Sequence, residues 1–187
     1  MVPYIPMVNA LIMFPDGDPT LEQLAIKIRQ GVEASGSTTF VGNLAQSPDG
    51  FDIAFGGFGT YAFGPDARLL KLAKSGKLAG KRVAIFCVHS GGGRAVADAL
   101  TKQLEANGAE VVNSIAIPMR GILKHIGKGT LSEIDYVRVC AFAEKTCNRA
   151  GGVRIVHESE KQKIKGYEKP AVNFPSKPIG SGDASGR

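Results

Sequence analysis

The feature that most constrains this chain is its alternation between two hydrophobic periods. Lys81-Arg-Val-Ala-Ile-Phe-Cys-Val88 is a nearly continuous apolar run that ends at His89-Ser-Gly-Gly-Gly93. Residues 94–107 then change to helical spacing and stop at Asn107-Gly108. The same change occurs near the N-terminus. Ala10–Phe14 is an apolar run, and Leu21, Leu24, Ala25, Ile28 and Val32 recur at helical spacing, which predicts a helix over 20–34 with one buried face. Ser35-Gly36-Ser37 ends that helix, and Thr38–Val41 reads as a weak second strand. After a turn at Ser47–Gly50, Phe51–Phe55 reads as a third strand ending in Gly56-Gly57. A loop over 58–65 leads to a short helix over 66–74. Glu110 begins another extended segment, to about Pro118. Thr130-Leu-Ser132 starts a last helix to about Arg149, closed by Gly151-Gly152.

Apolar strands that alternate with helices imply a parallel sheet covered on both faces. Five such strands predict a doubly wound α/β domain with strand order 2-1-3-4-5. Ligands in such folds bind beyond the carboxyl ends of the strands, at the topological switch point. The segments to inspect are therefore 15–19, 57–65, 89–93 and 118–131.

With 187 residues and 43% hydrophobic side chains, the chain suits one globular domain, placed at 8–150. Residues 151–187 differ. Lys161, Lys163, Lys165, Lys169 and Lys177 are interspersed with Pro170, Pro175 and Pro178, followed by a Gly/Ser-rich end. A segment of this composition buries little core and reads as a basic, Pro/Gly-rich extension. It is either solvated chain or a segment that lies along a partner, with Tyr167 and Phe174 as anchors. The apolar runs fall short of a bilayer span. The first residues lack a basic stretch followed by a long apolar one, so no secretory signal is expected. Cys87, Cys140 and Cys147 have no CxxC spacing and read as thiols of a reducing, cytoplasmic compartment. The net charge of +6 favours acidic or phosphate-bearing partners in a non-specific way. The lysines are dispersed and no nucleic-acid reading motif is present, so nucleic acid is a weaker expectation.

Three junctions resemble the flavodoxin family, over roughly residues 8–150. Phe51–Leu72 resembles that family's third strand, with its following Gly-x-Pro and helix. Leu78–Val112 resembles its fourth strand, Gly-rich loop and next helix. Thr130–Cys147, with Leu131-Ser-x-x-Asp135, resembles its last helix. The fifth strand carries no long insertion, as in the short-chain type. The resemblance implies a flavodoxin-like fold and an FMN site. It places Gly17 and Thr20 of the first loop at the phosphate. It sets Gly57, Gly59, Thr60, Tyr61, Ala62 and Phe63 on one side of the isoalloxazine ring and His89, Ser90, Gly91, Gly92 and Gly93 on the other. An aromatic face stacks on a planar ring, and glycines let backbone N–H groups approach it. Gly57 and Gly59 would leave peptides free to reorient beside a flavin nitrogen. The same residues have plainer readings. Tyr61 and Phe63 would also pack a loop onto the sheet, Gly91–Gly93 would serve a tight turn, and His89 has no evident base or nucleophile partner. His125 and His157 suggest no metal site.

The first loop departs from the family's hydroxyl-rich pattern. It reads Pro15-Asp16-Gly17-Asp18-Pro19-Thr20. Asp at an N-cap followed by Pro at the first helical position starts a helix without any ligand. Two unit charges about 6 Å apart repel by roughly 0.7 kcal/mol in water and about 2.8 kcal/mol at an effective dielectric of 20. A dianionic phosphate beside both carboxylates would therefore lose more than about a hundredfold in affinity. Asp16 and Asp18 alone are too few oxygens for Ca²⁺. A phospho-acceptor domain of the same strand order would need Asp where Gly56-Gly57 stands. Two functions follow from the resemblance. One is an FMN-binding electron carrier, or flavin subunit of a redox assembly. The other is a flavin-free structural or docking subunit of a host complex, with its basic tail on a partner.

Overall fold

The computed structural model describes residues 7–61, 64–65, 67–121 and 129–151, with the backbone alone at 61 and 64–65. Strands β1 (Asn9–Phe14), β2 (Thr38–Asn43), β3 (Ile53–Tyr61), β5 (Arg82–His89) and β6 (Glu110–Pro118) form the parallel sheet. Its order is β2-β1-β3-β5-β6, the expected 2-1-3-4-5 arrangement of five parallel strands. A two-residue β4 (Gly64–Pro65) adds an antiparallel pairing to the end of β3. The helices are α1 (Pro19–Ala34), α2 (Ala67–Lys74), α3 (Gly93–Ala106) and α4 (Glu133–Gly151). Their positions follow the helical periods, with ends moved by a few residues.

Side-chain alternation sorts the sheet into two cores. Ala10, Ile12 and Phe14 of β1, with Phe55, Phe86 and Ile117, pack under α1 and α4. Leu11 and Met13, with Phe58, Ile85 and Cys87, pack under α2 and α3. Both faces of β1, β3 and β5 are therefore buried, which is why those strands lack a polar alternation. The edge strand β2 is less covered, and its Phe40 and Val41 are exposed. On the α1/α4 face the two helices approach closely at Gly31. A Cβ there would lie 2.1 Å from the Cys140 carbonyl oxygen and 2.9 Å from the Ala143 Cβ.

The expectation that the third strand stops at Gly56-Gly57 and gives way to a loop is corrected. β3 continues to Tyr61 and pairs with β5 as far as Thr60 opposite His89. Gly57, Gly59 and Thr60 are thus strand residues, and all three are buried. The physical reason is packing. Gly57 stands opposite Phe86 in the ladder, and a Cβ on it would meet that ring at 2.1 Å. The aromatic ring occupies the space a side chain would have filled, so a residue that usually weakens strands is the one that fits.

Candidate functional site

The carboxyl ends of the strands form a step. Met13 of β1 pairs with Gly56, so Phe14 ends level with Gly57 while β3 runs four residues further. At about 3.3 Å per residue the overhang is roughly 13 Å. β5 occupies one edge of Thr60, so Pro65, which also pairs with Thr60, lies on the edge that faces β1. β4 therefore returns into the step, above the end of β1. Proline tolerates this place because an outer edge asks for no N–H.

The first loop lies at the foot of the step. Asp18 is the N-cap of α1, and its Oδ1 accepts hydrogen bonds from the amides of Thr20 (3.0 Å) and Leu21 (3.1 Å). The Glu22 amide donates to the Asp18 carbonyl at 3.0 Å. Pro19 has no amide to offer. Each backbone donor of the first helical turn that would face an anion is thus absent or engaged. Gly17 has φ 86°, in the left-handed region that glycine adopts without a penalty. Thr20 is buried. Asp16 is exposed.

Next to the step, Thr60 is 3% exposed, and its hydroxyl donates to the Val88 carbonyl at 3.4 Å and lies 3.7 Å from the Cys87 sulfur. This hydroxyl is held inside the sheet and does not project into a pocket. Burial pushes the Cys87 thiol up to about 12, against a smaller opposing effect of the Thr60 contact. Tyr61 is placed by its backbone only, and Ala62 and Phe63 lie outside the described residues. The Ser90 amide donates to the Thr60 carbonyl at 3.0 Å and ties the fourth-strand turn to β3. Gly91 and Gly92 are exposed, and Gly92, with φ 65°, caps α3 without any side-chain hydrogen bond. Gly93 is buried against His89, since a Cβ there would lie 2.2 Å from the imidazole Cγ.

His89 belongs to a second cleft. Its Nδ1 is buried and, among the described residues, has no hydrogen-bond partner. Burial lowers its pKa below the ordinary 6.5, which favours the neutral ring. The imidazole lines a cleft of about 390 Å³ with Arg94, Asp98, Ser114 and Arg138, on the edge of β6. These residues come from four elements, and no local pattern in the sequence marks them. At the start of α4, the Ser132 hydroxyl accepts from the Asp135 amide while the Asp135 carboxylate accepts from the Ser132 amide, a reciprocal cap. Burial opposes ionisation of Asp135, but Ser132 and the guanidinium groups of Arg120 and Arg138 hold its carboxyl below the ordinary 3.8.

Among the described residues no three His, Cys, Asp or Glu side chains are grouped to hold a metal ion. No described helix is long and apolar enough to cross a membrane. The tail beyond Gly151, with His157, and residues 122–128, with His125, lie outside the described residues.

No family model and no curated protein matches the chain. Solved structures do match. A flavodoxin from the domain Archaea aligns with a TM-score of 0.57 at 13% identity, covering 76% of this chain and 98% of that one. The two-electron reduced Megasphaera elsdenii flavodoxin aligns at 0.55 and 19% identity, covering 73% and 98%. A short-chain flavodoxin associated with a PDU bacterial microcompartment aligns at 0.58 and 16% identity, covering 77% and 99%. Near-complete coverage of these small proteins, together with the strand order, identifies the architecture: the chain has the flavodoxin-like fold.

Proposed function

We propose that this chain is a docking subunit of a larger assembly that keeps the flavodoxin-like fold without holding FMN. The observation that carries this reading is the first turn of α1. Asp18 accepts from the amides of Thr20 and Leu21, and Pro19 supplies none. A phosphate at that helix end would have to displace a carboxylate from two hydrogen bonds and remain beside both Asp16 and Asp18. The residues present do not fit a phosphate. The buried strand positions of Gly57, Gly59 and Thr60 agree with this. They are committed to the sheet and leave fewer free backbone groups for a ring. The basic extension over 151–187 would lie along the partner.

A second reading is an FMN-binding electron carrier or the flavin subunit of a redox assembly. It is favoured by the exposed Gly91-Gly92 turn at the end of β5 and by the flavodoxins that share the fold. In that case the Thr60–Phe63 and His89–Gly93 segments flank the ring. The absorbance spectrum of the purified protein separates the two. A colourless preparation that stays colourless after incubation with FMN and desalting is expected. A yellow preparation with stoichiometric flavin would contradict the docking reading.

A further inference from the structure

We propose that the outer surface of α2, with the turn that follows it, is a docking site for an acidic, leucine-bearing segment of a partner protein. This deepens the docking reading and rests on it. Residues 67–82 hold six cations, Arg68, Lys71, Lys74, Lys77, Lys81 and Arg82, and no acidic residue. Lys81 and Arg82 are held locally. Lys81 pairs with Asp49 at 3.2 Å, and Arg82 pairs with Glu110 at 3.5 Å and donates to the Ala150 carbonyl at 2.6 Å. Lys71, Lys74 and Lys77 have no ion-pair partner among the described residues, and all three are exposed.

Helix electrostatics account for only part of this row. Lys71 and Lys74 lie in the last turn of α2, where a cation complements the dipole. Lys77 lies beyond the helix. Like charges three residues apart also repel along the helix. Helix electrostatics therefore do not account for the three lysines together.

Between the cations the surface is apolar and shallowly hollowed. One cleft of about 510 Å³ is lined by Ala67, Leu70, Lys71, Lys74 and Ser75. A second of about 330 Å³ includes Leu44, Ala45, Arg68, Leu72 and Lys77. The two share Lys71 and Ser75, so they lie on either side of one lysine. Leu70 and Leu44 are half-buried and form part of the floor. Apolar hollows between ammonium groups fit an amphipathic segment with Leu-type anchors and flanking carboxylates. Among the described residues no aromatic side chain lines either cleft, so they offer bases no stacking platform. This favours a protein segment over nucleic acid.

The test uses the full chain and a fluorescein-labelled peptide of eight residues, Glu-Leu-Glu-Glu-Leu-Leu-Glu-Glu, read by fluorescence anisotropy at low ionic strength. Lys71→Gln/Lys74→Gln/Lys77→Gln is expected to weaken binding at least tenfold, with an unchanged thermal midpoint. Replacing the peptide's leucines by serine is expected to weaken it several-fold in the wild type. Binding that survives the triple substitution, including binding carried by the basic tail, overturns the proposal. Equal binding of the serine peptide, or tighter binding of a fifteen-residue oligothymidylate or of phosphatidylserine vesicles, overturns it too. FMN titration of the same samples reads the flavin question separately, so failure of one reading is distinguishable from failure of the other.

Discussion

Gly57→Ala adds one methyl group at the position where a pliable flavin loop and a packed strand predict opposite results. A Cβ on Gly57 would lie 2.1 Å from Cζ, 2.4 Å from Cε2 and 2.8 Å from Cε1 of Phe86. Carbon atoms rest at about 3.5–4.0 Å, so the ring would have to retreat by roughly 1.4 Å or more. Phe86 has nowhere to go, because it is 0% exposed and shares its cluster with Ile12, Phe55, Val88 and Ile117. Overpacking of this kind costs about 1–3 kcal/mol. Alanine recovers about 0.5–1 kcal/mol of backbone entropy relative to glycine. A net loss of about 2 kcal/mol is expected, at the upper end of overpacking because a whole ring is displaced. For a chain of this size that is roughly 4–8 °C in thermal midpoint. Circular dichroism melts and urea titrations would measure it. The double variant Gly57→Ala/Phe86→Leu should be about 1 kcal/mol more stable than the sum of the single losses predicts, because the smaller side chain makes room. A Gly57→Ala protein that unfolds at the wild-type midpoint would refute the packing argument and return the residue to a pliable loop.

Asp18→Ala should cost about 1 kcal/mol through loss of the α1 cap, while Asp16→Ala, at an exposed position, should stay within about 0.5 kcal/mol; urea unfolding of both checks the contrast. Asp135 has a folded pKa below its ordinary 3.8, so its contribution is present above that value and is lost as pH falls through the folded value. Asp135→Asn should therefore flatten the stability profile below about pH 4, as followed by unfolding at stepped pH; an unchanged slope would count against the Ser132 and arginine contacts. Burial pushes the thiols of Cys87 and Cys147 up to about 12 and about 11, so in native protein at pH 8 iodoacetamide should label Cys140 first, as mass spectrometry of timed aliquots would show. Early labelling of Cys87 would mean that β5 opens far more readily than its burial implies.

The parts of this fold that local chemistry dictates were legible in the sequence, and the parts that arise from tertiary contact were not. Strand and helix periods at Ala10–Phe14, Leu21–Val32 and Lys81–Val88 announced the sheet and its covering helices. The Asp18-Pro19 cap was legible in full, because a cap is a contact between residues two and three apart. The continuation of β3 was not. Gly56-Gly57-Phe58-Gly59 has the composition of a loop, and it becomes a strand because Phe86, far along the chain, fills the space over Gly57. The exposure of the apolar Phe40 and Val41 on the edge strand β2 was not legible either. The cleft around His89 draws Ser114 and Arg138 from separate elements, and no spacing rule brings them together. The lysine row of α2 was present in the sequence at a visible three-residue spacing. The clefts beside it were not legible, because one of them brings Leu44 and Ala45 from a distant segment beside Lys71 and Leu72.

The Asp18-Pro19 cap engages or removes the donors of the first turn of α1, and on the reading proposed above it leaves no place for a phosphate. Isothermal titration of wild-type chain and Asp16→Thr with FMN and with riboflavin tests it most directly. No wild-type heat with FMN is expected at micromolar concentrations. Any weak affinity should be lower for FMN than for riboflavin, because the carboxylates repel the phosphate, and only FMN should gain from removal of the Asp16 charge. Micromolar or tighter FMN binding by the wild type, clearly stronger than riboflavin binding and weakened by Asp16→Thr, would contradict it and make this loop a phosphate site after all.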